Sequence, residues 1–153
     1  MSKLKVVPGA PNEIIFEREF DAPRRLVWKA MSEPALIKQW MGGKRATVSS
    51  TEVDLRVGGR YRNAFRTPDG HEFAFIGEYR ELGDGRIVHT EQMEGQPGEA
   101  VVTITMTEHG GKTAMRMVMT FESKELRDMV EATGMADGAG ESYDELDRLL
   151  TSL

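Results

Sequence analysis

The sequence contains no cysteine. Disulfides, thiolate metal sites and cysteine nucleophiles are therefore excluded. Histidine is scarce, with three in 153 residues, and the three are scattered without metal-ligand spacing. No Gly-X-Ser-X-Gly element marks a serine nucleophile. No window approaches the roughly 18 consecutive apolar residues of a membrane span. The N-terminal "MSKLKVVPGAPNE" has no apolar segment of signal-peptide length, so a cytoplasmic location is the expectation. Positive charge is also in deficit. Twenty Lys and Arg face 25 Asp and Glu, for a formal net charge of −5, which argues against nucleic acid as a partner because phosphate contacts need a basic face.

What is present is an ordinary globular composition, 39 % hydrophobic and 29 % charged, in a length that suits one domain with a real core. Residues 1–12 read as a mobile lead-in and residues 13–153 as the domain. "EIIFEREF" (13–20) is β-branched and aromatic and predicts a strand. "DAPRRLVWKAM" and "SEPALIKQW" predict two short helices, with Pro23 in the first turn of one, Ser32 capping the other and Pro34 in its first turn. From residue 46 the apolar period changes from 3.6 to 2. Six strand-like segments follow at intervals of about ten residues, joined by "PDG", "GDG", "EGQPGE" and "HGG". Ser123 is placed to cap a final helical region, in which Tyr143, Leu146, Leu149, Leu150 and Leu153 form a stripe. Strands and helices are segregated along the chain, which is an α+β pattern.

The stretch "GGKTAMRMVMTF" (110–121) puts Met115, Met117, Met119 and Phe121 on one strand face and Arg116, Val118 and Thr120 on the other. Seven of the ten methionines fall between residues 93 and 135. Methionine either fills an irregular core or lines an adaptable apolar cavity, and spacing leaves both open. Gly134, Gly138 and Gly140 near the start of the last helix either end one helix or leave room above the sheet.

The chain resembles the small bacterial proteins of the activator of heat-shock protein 90 ATPase C-terminal-like family, within the START-like (SRPBCC) helix-grip superfamily. The residues that carry the resemblance are "REFDAPRRLVWKAMSEPALIKQW" (18–40), "VDLRVGGRYRNAFRTPDG" (53–70), "GEYREL" (77–82), "VTITMTEHGGKTAMRM" (102–117) and "TFESKELRDMVEATGMADGAGESYDELDRLL" (120–150). The resemblance implies a curved antiparallel sheet of about seven strands gripping a long C-terminal helix, with an apolar cavity between them in many members. It implies ligands such as lipids, polyketides or flavonoid-like aromatics, and no defined activity. Two positions depart from the family pattern. Met41 stands where a second tryptophan is common, and Ala139 stands where "GMxxGW" has its tryptophan. Both changes enlarge or reshape a cavity that those rings line.

The function expected is non-covalent binding of a small hydrophobic or aromatic molecule between sheet and C-terminal helix. The expected wall comprises Trp28 and Trp40 from the short helices, Tyr61, Phe65 and Phe75 from the sheet, and Met106, Met117 and Met119 from the methionine-rich hairpin. Met129, Met135 and Tyr143 complete it from the C-terminal region. Asn63 alternates with Tyr61 and Phe65 and is the expected orienting polar group. No catalytic residue, cofactor or metal is assigned. A cyclase- or hydrolase-like enzyme using the same cavity is the alternative, with His89 or Glu91 as proton carrier, although the reading of those two is a surface pair at a sheet edge. A co-chaperone-like or stress-related interaction module is the third, resting on the family name alone, and a homodimer is a further candidate.

Overall fold

The computed structural model describes residues 3–83 and 85–153. Eight strands form one antiparallel sheet: β1 (Lys5–Val7), β2 (Glu13–Phe20), β3 (Thr47–Val53), β4 (Arg60–Arg66), β5 (Glu72–Glu81), β6 (Arg86–Met93), β7 (Ala100–His109) and β8 (Lys112–Phe121). Their order across the sheet is β1-β2-β8-β7-β6-β5-β4-β3. Strands β3 to β8 are thus a meander, and β2 returns the N-terminal segment to pair with β8. Two helices follow β2, α1 (Arg24–Ser32) and α2 (Pro34–Trp40), and two follow β8, α3 (Lys124–Glu131) and α4 (Met135–Leu150). This is the helix-grip arrangement, with one strand more than expected.

The extra strand lies in the segment read as a mobile lead-in. Lys5, Val6 and Val7 pair with Glu17, Phe16 and Ile15. A three-residue strand flanked by Lys, Pro and Gly carries almost no periodic signal, so pairing with β2 decides it. At the α1–α2 junction Ser32 is not a cap. It is the last residue of α1, and its hydroxyl donates back to the Trp28 carbonyl at 2.8 Å, while Glu33 is the N-cap of α2. Ser123 does cap α3, accepting from the Leu126 N–H at 3.1 Å.

Gly134 separates α3 from α4. It sits in the left-handed region at φ 79°, which glycine adopts without the Cβ penalty. One helix therefore ends there and the next begins at once, with Gly138 and Gly140 inside α4. The core lies between the concave sheet face and α4. Phe16 and Phe20 of β2, Val27 and Ala30 of α1, Val102 of β7 and Leu146 of α4 are essentially inaccessible. Arg60, Arg62 and Arg66 point outward from β4 and meet Glu78, Glu94 and Glu72, a solvated face with its charges balanced.

One buried charge cluster ties helix to sheet. Arg18 of β2, 3 % exposed, donates to Asp144 at 2.7 Å and lies 3.5 Å from Asp147. Its guanidinium also lies 5.5 Å from the Phe20 ring. The inward face of β2 therefore carries an arginine where alternation alone predicts an apolar residue.

Candidate ligand cavity

Between sheet and helices lies a cavity of about 430 Å³, within the usual range for small-molecule sites. Exposed Leu55, Arg45 and Thr133 are among its lining residues, so it communicates with solvent. Ten of the twelve expected wall residues meet there. Trp28, Trp40, Tyr61, Asn63, Phe65, Phe75, Met117, Met119, Met135 and Tyr143 all line it. Met106 and Met129 do not. Met106 is 2 % exposed and pairs across the β7–β8 hairpin with Met115, so it is core. Met129 is 67 % exposed on the outer side of α3, because the break at Gly134 gives α3 a direction of its own.

The methionine-rich strand therefore divides along its length. Met115, near the hairpin end, fills the core against Met106. Met117 and Met119, nearer the middle, form cavity wall. The two departures from the family pattern, Met41 and Ala139, also lie on the wall. Aromatic contacts frame the space. Trp40 stacks on Tyr143 at 5.8 Å and is held by its indole N–H donating to the Ala30 carbonyl at 2.9 Å. Phe65, Phe73 and Phe75 form a second cluster, with centroids 5.2 to 6.1 Å apart.

Asn63 of β4 and His89 and Glu91 of β6 are among the polar side chains on the wall. Asn63 is 8 % exposed, and its side-chain carbonyl accepts the Thr51 hydroxyl at 2.6 Å. His89 and Glu91 both line the cavity, which corrects their placement at a sheet edge. Strand β6 is central, between β5 and β7, and its inward residues are Ile87, His89 and Glu91. The signal was available in the alternation with Ile87, but the order of strands in the sheet was needed to use it.

The β5–β6 ladder pairs Ile76 with Gln92 and Tyr79 with His89 and is open between them. In that gap the Thr90 hydroxyl takes the Glu78 N–H at 2.9 Å. The Thr90 carbonyl receives the Tyr61 hydroxyl at 2.7 Å and faces Nδ1 of His89 at 3.0 Å. Assigning the imidazole proton to Nδ1 gives both donors an acceptor and leaves Nε2 as a lone-pair acceptor. The close approach requires Gly77, where a Cβ would stand 1.9 Å from the Thr90 carbonyl oxygen and 2.7 Å from the Tyr61 hydroxyl.

Burial sets the electrostatics. It pushes the His89 imidazole below its ordinary pKa, with the hydrogen bond to Thr90 opposing part of that shift. It raises the Glu91 carboxyl to about 7. Glu91 has no hydrogen bond or ion pair among the described residues, and it lines the cavity. Its charge adds to burial in raising the phenols of Tyr61 and Tyr143, so the carboxyl acts between them. Tyr79 is raised by burial to about 12. Arg45, the one Lys or Arg on the wall, is bound at 2.5 Å to Glu141 of α4. Among the described residues no three His, Asp or Glu side chains cluster as metal ligands.

The family model described as Activator of Hsp90 ATPase homolog 1-like protein matches residues 21–151. The chain belongs to that family. Among solved structures it is similar to a Rhodobacter sphaeroides protein, at 27 % identity over 99 % of both chains with a TM-score of 0.92. A Nitrosomonas europaea protein is 25 % identical, with 95 % of this chain and 97 % of that one covered and a TM-score of 0.85. An AHSA1-like protein from Aeromonas hydrophila shares the fold at 20 % identity and a TM-score of 0.68, over 86 % and 90 % of the two chains. Among curated proteins none matches this sequence. No helix among the described residues is long and apolar enough to cross a membrane.

Proposed function

We propose that this member of the family binds a small hydrophobic or aromatic molecule between its sheet and α4. The observation that carries the reading is a single wall of aromatic and methionine side chains around about 430 Å³ of space, interrupted by a few polar groups. Apolar walls supply burial at roughly 25 cal/mol per Å², and a few fixed polar groups supply orientation. Methionine suits a wall that must adapt to shape. Asn63, His89 and Glu91 are the orienting groups.

The test is a thermal-shift screen of fatty acids, sterols, flavonoids and polyketide-like aromatics. A ligand that binds only the folded state stabilises it by about 2.7 kcal/mol at a hundredfold excess over Kd. The expected result is a dose-dependent rise in Tm for flat aromatic compounds. A flat response across the whole panel would refute the reading.

One observation favours a second reading, proton transfer within the same cavity. Glu91 has a carboxyl pKa near the working pH, and the free Nε2 of His89 is a lone-pair acceptor, a pairing suited to general acid–base work. On that reading His89→Ala abolishes turnover while the variant still folds, and activity surviving in His89→Ala would remove the imidazole from the mechanism.

A further inference from the structure

The cavity wall carries one carboxylate without a counter-charge. Glu91 presents a carboxylate with no hydrogen-bond or ion-pair partner among the described residues. Nε2 of His89 adds a lone pair, because Nδ1 is committed to the Thr90 carbonyl. The sulfur of Met117 accepts the Tyr143 hydroxyl at 3.9 Å, so that hydroxyl's proton is already directed at a wall group. The positive groups nearby are already neutralised. Arg45 is half-exposed and held by Glu141. Arg18 is buried and balanced by Asp144 and Asp147.

We infer that the molecule this cavity selects carries a basic amine, bound as an ammonium against Glu91 with its aromatic or aliphatic body among the rings and methionines. The inference rests on the binding reading above and narrows its ligand class. An ammonium brings N–H donors to the Glu91 carboxylate, and it supplies the charge that Glu91 lacks. Ring faces such as that of Trp40 give a desolvated cation further attraction. A carboxylate ligand meets the reverse situation, since two like charges in an enclosed apolar site oppose each other.

The protonation behaviour agrees. The titratable groups on the wall are Arg45, Tyr61, Tyr79, His89, Glu91 and Tyr143. The three phenols are neutral near pH 7 at their ordinary pKa, and burial raises each further from it; burial also favours the neutral imidazole of His89. Glu91 is then the wall group that changes charge near neutrality. Amine affinity should rise with pH as Glu91 ionises and fall again when the amine itself deprotonates, at roughly pH 10 for an alkylamine such as lysine's.

The experiment is isothermal titration at pH 7.5 of three matched probes, 1-naphthylmethylamine, 1-naphthalenemethanol and 1-naphthoate, into the wild type and Glu91→Gln. The expected result is that the amine binds at least tenfold more tightly than the alcohol, with naphthoate weakest. In Glu91→Gln the preference for the amine over the alcohol, both measured in that variant, should disappear, and a cooperative thermal melt of the variant reports an intact fold. Naphthoate binding as well as the amine would overturn the inference, as would an amine preference that survives Glu91→Gln. Alcohol binding with no preference for the amine would overturn this inference alone, and no binding by any probe would overturn it together with the binding reading.

Discussion

The Tyr61 hydroxyl lies 3.1 Å from Nδ1 of His89, and both groups converge on the carbonyl oxygen of Thr90. This one meeting point fixes the imidazole orientation, and Glu91, two residues on along β6, shares the inward face with His89. Tyr61→Phe removes one donor and keeps the ring. It should cost about 1 kcal/mol, the typical net value of a hydrogen bond, as read by urea denaturation. It should also change the chemical shift and titration of the His89 ring, which a merely packing role for Tyr61 would leave alone.

Glu91 makes the protein's stability depend on pH. Its folded pKa is raised to about 7 from an ordinary value of 4.5. The folded state therefore binds more protons than the unfolded state between those two values, and stability falls as pH rises through that window. Glu91→Gln removes the penalty. The expected gain is about 1–3 kcal/mol at pH 8 and near zero at pH 4.5, measured as unfolding free energies at both pH values. An equal gain at both would show that the carboxyl is solvated.

Glycines in three settings should respond differently to alanine. In α4, a Cβ at Gly140 or Gly138 would come no closer than 3.9 or 4.0 Å to its nearest neighbour. Alanine there should stabilise by about 0.4–1 kcal/mol through the unfolded chain. Gly77→Ala, in β5, would drive a Cβ into the Thr90 carbonyl and should be severely destabilising. Gly134→Ala would strain a left-handed residue with open space around it, a milder loss of about 1 kcal/mol. Thermal melts of the four variants rank these directly.

Arg18→Met should destabilise by about 3–5 kcal/mol, because removing one partner leaves an uncompensated buried charge. Asp147, 8 % exposed, is the charge stranded. The double variant Arg18→Met with Asp147→Leu should recover much of the loss, and a double variant no better than the single one would count against the pair as the cause.

The order of elements was legible because period and turn chemistry are local. "EIIFEREF" and "RIVHTEQM" match β2 and β6 residue for residue. The facing of Met117, Met119 and Asn63 followed from strand alternation. What escaped the sequence depended on contacts between distant segments. β1 is a strand only because β2 offers it an edge. Met129 lies outside because Gly134 redirects the chain between α3 and α4. Arg18 is buried because Asp144 and Asp147 lie opposite it, a match between residues more than 120 apart that no local pattern encodes. His89 and Glu91 read as a surface pair until the strand order put β6 in the middle of the sheet.

If the space between sheet and α4 is a ligand site, Met117→Trp should weaken binding there. The larger ring projects from the wall into the cavity and takes up part of its space, at an overpacking cost of up to about 1–3 kcal/mol. The measurement is calorimetric titration of 1-naphthalenemethanol into both proteins across a range of temperatures. The wild type should bind saturably and one-to-one with a negative heat-capacity change, the marker of apolar burial, and a folded Met117→Trp should bind at least tenfold more weakly. Equal binding by the two proteins would place the ligand elsewhere and contradict the account.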